Sequence, residues 1–401
     1  MFTYKGKRYN IHLNYTVAGI YIHIPFCKKA CFYCDFHFSV SFNSKADIIA
    51  SISLETKRRR EFFERDEIIE TIYFGGGTPS VLTMSEIDEI LGTVYETFNV
   101  LPTAEVTFEC NPDDLSPEYL KMLKLVGVNR LSIGVQSFNE NHLVWMNRSH
   151  TASQSLQCVK DAAYVGFKDI TIDLIYGLPD LEDEEWRDTV KQALTLPINH
   201  LSAYSLTMEE NTPYKKLVQQ KKYKQPDEDQ SSIHYEILIE EINAAEWDHY
   251  EVSNFCKEEK VSKHNTGYWQ QKKYLGIGPS AHSFDRENRS WNVSSNAQYL
   301  QRIIENKKTY EIEELTRQDK LNETLLTGLR AKWGINLVIL KEDYEYDILT
   351  LYKEEIGYWQ STRWAEIDGD VLRLTDKGLL FADYIASELF EDRDYSSQTS
   401  S

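Results

Sequence analysis

From Ile20 to Leu206 the chain alternates between two kinds of pattern, and this alternation restricts the fold more than any other feature. Apolar, β-rich runs occur at Ile20–Ile24, Thr71–Phe74, Glu105–Glu109, Arg130–Val135, Ile170–Tyr176 and Leu201–Leu206. Stretches with helical spacing separate them, at Ala46–Phe63, Met84–Phe98, Pro117–Leu125, Ala152–Val165 and Glu184–Leu194. Strands joined by helical crossovers build a parallel sheet with right-handed connections. The expected class is α/β. In such folds the site forms at the carboxyl ends of the strands, and most of these runs do end in polar or Gly-rich segments.

Beyond Leu206 the pattern changes. A charged stretch, 215–230, precedes a helix at Ser231–Ala245 and an aromatic-rich segment, Trp247–Phe284. From about Asn296 the reading is mainly helical. It closes on VLRLTDKGLLFADYIASELF, whose turn and helix suggest a small winged-helix-like module. The expected organisation is a core domain over 17–246, a connecting segment over 247–295, a smaller domain over 296–392 and a polar, disordered tail at 393–401. Residues 1–16 have no place in the alternation. They are either an added strand or an upstream over-extension of the reading frame, with Val17 at the initiator position.

Charge narrows the function classes. The net charge of -19 disfavours wrapping nucleic acid, which needs Lys and Arg against phosphates. The first residues lack the apolar core of a secretory signal, and no run approaches the roughly 20 apolar residues of a membrane span. A cytoplasmic protein without a membrane anchor is expected. The charged run Glu55 to Arg60 (ETKRRR) is expected to be the solvated face of the first helix.

Three of the six cysteines crowd into Cys27-x-x-x-Cys31-x-x-Cys34, directly after the run YIHIP. Three thiolates on one short loop can ligate three irons of a [4Fe–4S] cubane and leave the fourth open to a small molecule, whereas electron-transfer clusters usually take four cysteines. The alternative is zinc, which needs a fourth N or S ligand; His23 or His37 could supply it. Cys110, Cys158 and Cys256 read as small buried hydrophobes.

Tyr21-Ile22-His23-Ile24-Pro25-Phe26-Cys27, Cys31, Phe32-Tyr33-Cys34 and Asp35-Phe36 resemble the signature of the coproporphyrinogen dehydrogenase and HemW family of radical S-adenosylmethionine (SAM) proteins. The resemblance runs from Gly19 to about Asp392. It implies a partial (β/α)6 barrel, open on one side, with a smaller, mainly helical C-terminal domain able to cover the opening. It also implies that SAM chelates the open iron and that one-electron reduction cleaves it to methionine and a 5′-deoxyadenosyl radical. By the same resemblance Gly76, Gly77 and Thr78 (in GGGTP), Glu109 (in FECNP), Gln136 (in SIGVQSF), Arg148 and Asp173 line the SAM pocket, together with Tyr21 and Tyr33. Each alone is also readable, less favourably, as ordinary strand-end packing.

Within that family the form around Cys34 discriminates. Dehydrogenases carry a further cysteine two places on, where this chain has Phe36; the CDF form is similar to HemW. His264-Asn265-Thr266-Gly267-Tyr268-Trp269 matches the HNxxYW motif of the same branch. This branch implies a heme chaperone that passes heme to apo-proteins such as respiratory-chain components, with His264 the first candidate for heme contact and His282 the second. The ordinary reading is that Tyr268 and Trp269 are core aromatics and His264 bonds a loop. Coproporphyrinogen III decarboxylation remains the alternative activity. The resemblance is compatible with a homodimer, and with peripheral membrane contact through a membrane-bound acceptor.

Overall fold

A computed structural model describes residues 17–391 throughout, and residues 2–4 and 7–9 of the N-terminal extension. The latter pair antiparallel as a separate two-stranded sheet. The tail expected at 393–401 lies outside the described residues.

All six expected strands form: β1 (Val17–Ile24), β2 (Ile68–Gly76), β3 (Val100–Cys110), β4 (Arg130–Gln136), β5 (Asp169–Tyr176) and β6 (His200–Ser205). They lie side by side in chain order and are all parallel. The crossover helices are α1 (Lys45–Arg58), α2 (Met84–Thr97), α3 (Pro117–Leu125), α4 (Glu140–Trp145), α5 (Ala152–Val165) and α6 (Asp183–Thr195). Local chemistry sets their ends. Thr83 with Glu86 and Thr151 with Gln154 form capping boxes, and Gly166 ends α5 in the left-handed conformation. One face of β1 is packed throughout: Ile20, Ile22 and Ile24, at alternate positions, are wholly inaccessible. Each such side chain contributes roughly 2 kcal/mol through burial.

The segment expected to be a connector is part of the sheet. Tyr274–Ile277 is a seventh parallel strand, beside β1. His282–Phe284, Asn288–Asn292 and Tyr310–Glu314 extend that edge antiparallel. Asn254–Cys256 and Asp248–Glu251 extend the opposite edge beyond β6, giving twelve strands in all. These strands are short, and the two that join the central sheet, Tyr274–Ile277 and Asn254–Cys256, pair with strands far away in sequence, which a local pattern does not report.

The domain boundary also moves. Tyr299 and Ile303 belong to the first hydrophobic core, and a second core begins at Leu321. The 296–314 stretch therefore belongs to the large body, not to the C-terminal one. The latter packs helices around a three-stranded antiparallel sheet (Ile335–Asn336, Ala365–Asp368, Val371–Leu374), as in a winged helix. It holds both edges of the large sheet. At one edge Lys332 N donates to Tyr250 O (3.0 Å), Val252 N donates to Arg330 O (3.0 Å), and His249 pairs with Asp376 (3.0 Å). At the other Arg289 pairs with Glu323 (2.7 Å).

The ETKRRR run is only in part a solvated face: Lys57, Arg58 and Arg60 are exposed, but Glu55, Thr56 and Arg59 turn inward. Glu55 is 2% exposed and Arg59 9%. The Glu55 carboxylate accepts hydrogen bonds from Gly278 N (2.9 Å), Asn292 Nδ2 (2.9 Å), Tyr299 Oη (2.7 Å) and Thr309 Oγ1 (2.9 Å). Arg59 stands 3.8 Å away and lies over the Tyr310 ring. Four donors from four separate segments thus converge on one side chain of α1. Truncating it leaves them buried and unpaired, so Glu55→Ala should destabilise the chain by roughly 3–5 kcal/mol. Thermal unfolding of the variant beside wild type and Glu55→Gln checks this, with Glu55→Gln intermediate.

Candidate cofactor site

The cysteine loop follows β1 at its carboxyl end. Its two ends are stitched together: Ser39 N donates to Pro25 O (2.9 Å) and Cys27 N to Ser39 O (3.0 Å). Its tip is held from outside. Phe32 N donates to Met146 O (3.1 Å), Tyr214 N to Phe32 O (2.9 Å) and Asn147 Nδ2 to Ala30 O (2.6 Å). Lys28 pairs with Asp113 and Asp114. His37 Nε2 bonds Asn296 Oδ1 (2.8 Å), and the His37 carbonyl bonds His23 Nε2 (2.8 Å). His23 and His37 therefore spend these nitrogens on partners other than the cysteines.

All three cysteines are free. The Thr78 hydroxyl donates to Cys27 Sγ (3.1 Å), and Arg148 Nη1 donates to Cys31 Sγ (3.2 Å). Burial pushes the Cys27 thiol up to about 11 and the Cys34 thiol up to about 12 in the metal-free chain. Among the described residues no three His, Cys, Asp or Glu side chains converge as ligands of a single metal ion. A cubane makes a different demand, one thiolate on each of three irons.

Tyr21, Gly76, Gly77, Thr78, Glu109, Gln136, Arg148 and Asp173 are all half-buried, while most of their strand neighbours are fully buried. Gly76, Gly77, Thr78, Glu109 and Gln136 stand at or just beyond the carboxyl ends of β2, β3 and β4, Tyr21 and Asp173 lie within β1 and β5, and Arg148 follows α4. Gly76 has φ +102°, and a Cβ there would stand 2.5 Å from the His23 ring. At Gly77 a Cβ would meet the Ile24 and Phe26 backbone at under 3 Å. The glycine run thus lets β2 press onto the root of the cysteine loop. Gln136 ends β4 at φ +66°, a left-handed conformation that costs a non-glycine residue on the order of 1 kcal/mol and often marks a functional position.

The charged groups are braced individually. Glu109 accepts from Tyr73 Oη (2.8 Å) and from the Gly76 amide. Desolvation, with Asp173 nearby, pushes its carboxyl up to about 7. Desolvation also raises Asp173 to about 6, against the hydroxyls of Ser202 and Ser132. Arg148 Nη2 donates to Gly134 O (2.8 Å) and to Asn111, and Nη1 also reaches the Tyr33 hydroxyl (3.3 Å). Arg148 Nε is buried without a partner. Buried donors are nearly always satisfied, so this one fits a group still to be bound. Tyr73, Asn111, Ser132 and Ser202 were absent from the sequence-based set. The period-two pattern running back from Gly75 would have placed Tyr73 on the same face.

The two histidine candidates part company. His264 lies at the amino-terminal ends of the strands, 3% exposed, with Nδ1 bonded to Thr71 Oγ1 (2.8 Å) and Nε2 to Tyr268 Oη (2.8 Å). Tyr21 and Tyr73 stack on it, at 6.4 and 5.0 Å. Burial holds it neutral, with a pKa lowered to about 3. The cavity beside it measures about 10 Å³, too small for a macrocycle. In this conformation it offers no free nitrogen to an iron atom. His282 is exposed, its ring 6.4 Å from Trp291, on the rim that also carries His23 and His37. In this conformation His264 is closed in on both nitrogens and His282 is open.

The sequence matches the Radical SAM superfamily over residues 21–193 and the HemN C-terminal domain over 315–381. It is 34% identical to the heme chaperone HemW of Lactococcus lactis subsp. lactis (strain IL1403), covering 89% of this chain and 93% of that one. It is 33% identical to the heme chaperone HemW of Bacillus subtilis (strain 168), over 82% and 87% respectively. The structure superposes on coproporphyrinogen III oxidase (HemN) from Escherichia coli, described as a radical SAM enzyme, with a TM-score of 0.80 at 22% identity, over 94% of this chain and 91% of that one. That likeness is one of fold. No helix among the described residues is long and apolar enough to cross a membrane.

The raised Glu109 value has a definite sign. Its folded pKa of about 7 lies above the ordinary 4.5, so the folded chain holds this proton after the unfolded chain has lost it. Its contribution to stability falls as pH rises from 4.5 towards 7 and is level above that. Glu109→Gln should therefore gain stability over wild type across that window. Melting temperatures of the cluster-free proteins at several pH values check this; a constant difference would mean a solvated carboxylate.

Proposed function

This chain belongs to the HemW family of radical SAM proteins, and on that footing we propose that it is a heme chaperone: it binds heme and passes it to apo-proteins, with SAM and a [4Fe–4S] cluster held at the carboxyl ends of the strands. One observation carries the reading. An exposed imidazole, His282, stands on the same rim as three free cysteines, two of whose sulfurs, Cys27 and Cys31, already accept hydrogen bonds.

The donor set fits the cofactors. Cys27, Cys31 and Cys34 would hold three irons, leaving the fourth for the amino and carboxylate groups of SAM. Gly76, Gly77 and Thr78 would present backbone to the methionine part, and the free Nε of Arg148 suits an anionic group. Glu109 and Asp173 would accept from sugar hydroxyls, which favours their ionised forms. Tyr21, Tyr33 and Gln136 would complete the walls. When bound, SAM and the cluster supply one-electron chemistry that no side chain here can provide. The chain's own contribution is to orient these groups and keep water out.

His282 would ligate heme iron, with Trp291 beside the macrocycle. His264, with both nitrogens engaged, braces the floor of the barrel. Phe36 stands where dehydrogenases are expected to carry a further cysteine, and its side chain is 67% exposed.

Anaerobic reconstitution should give about four irons per chain, and Cys34→Ala should fail to hold a full cubane. In a heme titration followed at the Soret band, His282→Ala should weaken binding about tenfold or more or change the spectrum. His264→Ala should instead lower the melting temperature and leave the spectrum unchanged. Coproporphyrinogen III, SAM and a reductant should give no protoporphyrin; catalytic protoporphyrin formation would overturn the chaperone reading.

A further inference from the structure

Two of the three cysteine sulfurs are met by donors of different kinds, from different places. Cys27 receives a hydroxyl from Thr78 just beyond β2, and Cys31 a guanidinium from Arg148 after α4. Hydrogen bonds to ligating sulfurs are one of the means by which a protein tunes an iron–sulfur cluster. Reduction adds negative charge to the cluster, so each donor stabilises the reduced state more than the oxidised one. The effect is larger for a charged donor, and larger in a half-buried site than in water.

Arg148 is also immobile. Nη2 is tied to Gly134 O and Asn111, and Nη1 to Tyr33 as well as to Cys31. Its own backbone carbonyl accepts from Lys29, and Asn147 holds Ala30. The segment 147–148 therefore fixes the cysteine loop and the donor aimed at it as one unit.

We propose that Thr78 and Arg148 set the reduction potential of the cluster, with Arg148 the stronger of the two, by stabilising charge on Cys27 and Cys31. Arg148 is thus a tuning and positioning residue for the cluster itself, independently of any contact with SAM. This rests on the cluster assignment above.

The test uses the full chain, reconstituted and free of SAM. Iron is counted first, and the midpoint potential is then measured by titration followed by electron paramagnetic resonance. Thr78→Val should shift the midpoint to a more negative value. Arg148→Leu should shift it further, with Arg148→Lys between Arg148→Leu and wild type. A purely structural role would change iron content or melting temperature and leave the midpoint alone. Should Arg148→Leu fail to hold a cluster, Thr78→Val and Arg148→Lys decide. Full iron and the wild-type midpoint in both overturns the tuning. A wild-type chain that binds no cubane overturns the cluster assignment, and the tuning with it.

Discussion

The buried carboxylate of Glu55 is the contact on which the arrangement turns. A parallel sheet that stops short of closing has two edges, and its first strand needs a neighbour. Here that neighbour, Tyr274–Ile277, arrives from the far side of the sequence and brings three antiparallel strands with it. Glu55 receives donors from the turn after that strand, from two more strand segments and from a helix. The same helix begins at Asn296, which bonds His37 of the cysteine loop. A single acceptor on α1 thus holds the edge, and the edge holds one flank of the loop that carries the chemistry.

Much of this was legible in the residues. The six central strands are apolar, β-rich runs, and period and length suffice to find them. The pocket residues entered through the family resemblance; Gly76, Glu109 and Gln136 also stand at the ends of apolar runs, whereas Tyr21 and Asp173 lie inside theirs and Tyr33 and Arg148 on loops. What local pattern cannot report is who sits opposite. Glu55 lies among Lys57, Arg58 and Arg60, so composition called the whole run solvated, yet its turn of α1 faces Tyr299 and Asn292. The edge strands are three to five residues long, too short for periodicity to register. His264 is a parallel case, because a motif fixes which residues stand together but not which end of the barrel they occupy.

The two ends of the barrel divide the work. At the carboxyl ends the side chains are half-exposed, the carboxyls of Glu109 and Asp173 are raised by desolvation, and Gln136 is held in a costly backbone conformation. At the amino ends His264 is paired off: Thr71 and Tyr268 take both its ring nitrogens, and Glu105 accepts from the Lys263 and His264 amides at the start of their helix. A buried polar network that is satisfied in this way rigidifies rather than reacts. At the other end Gln136 is held in the left-handed region and Arg148 keeps one donor spare.

The C-terminal body grips both edges of the large sheet, through Tyr250 and Val252 on one side and Arg289 on the other. It works as a clasp. Remove it, and the hairpin beyond β6 loses backbone partners while the opposite edge loses an ion pair, so neither margin of the barrel keeps its native surroundings. The two hydrophobic cores are separate, but their boundary is a shared load. Heating should therefore melt them in one cooperative step, and a shortened chain carrying the cysteine loop alone would inherit the chemistry without the frame that aims it.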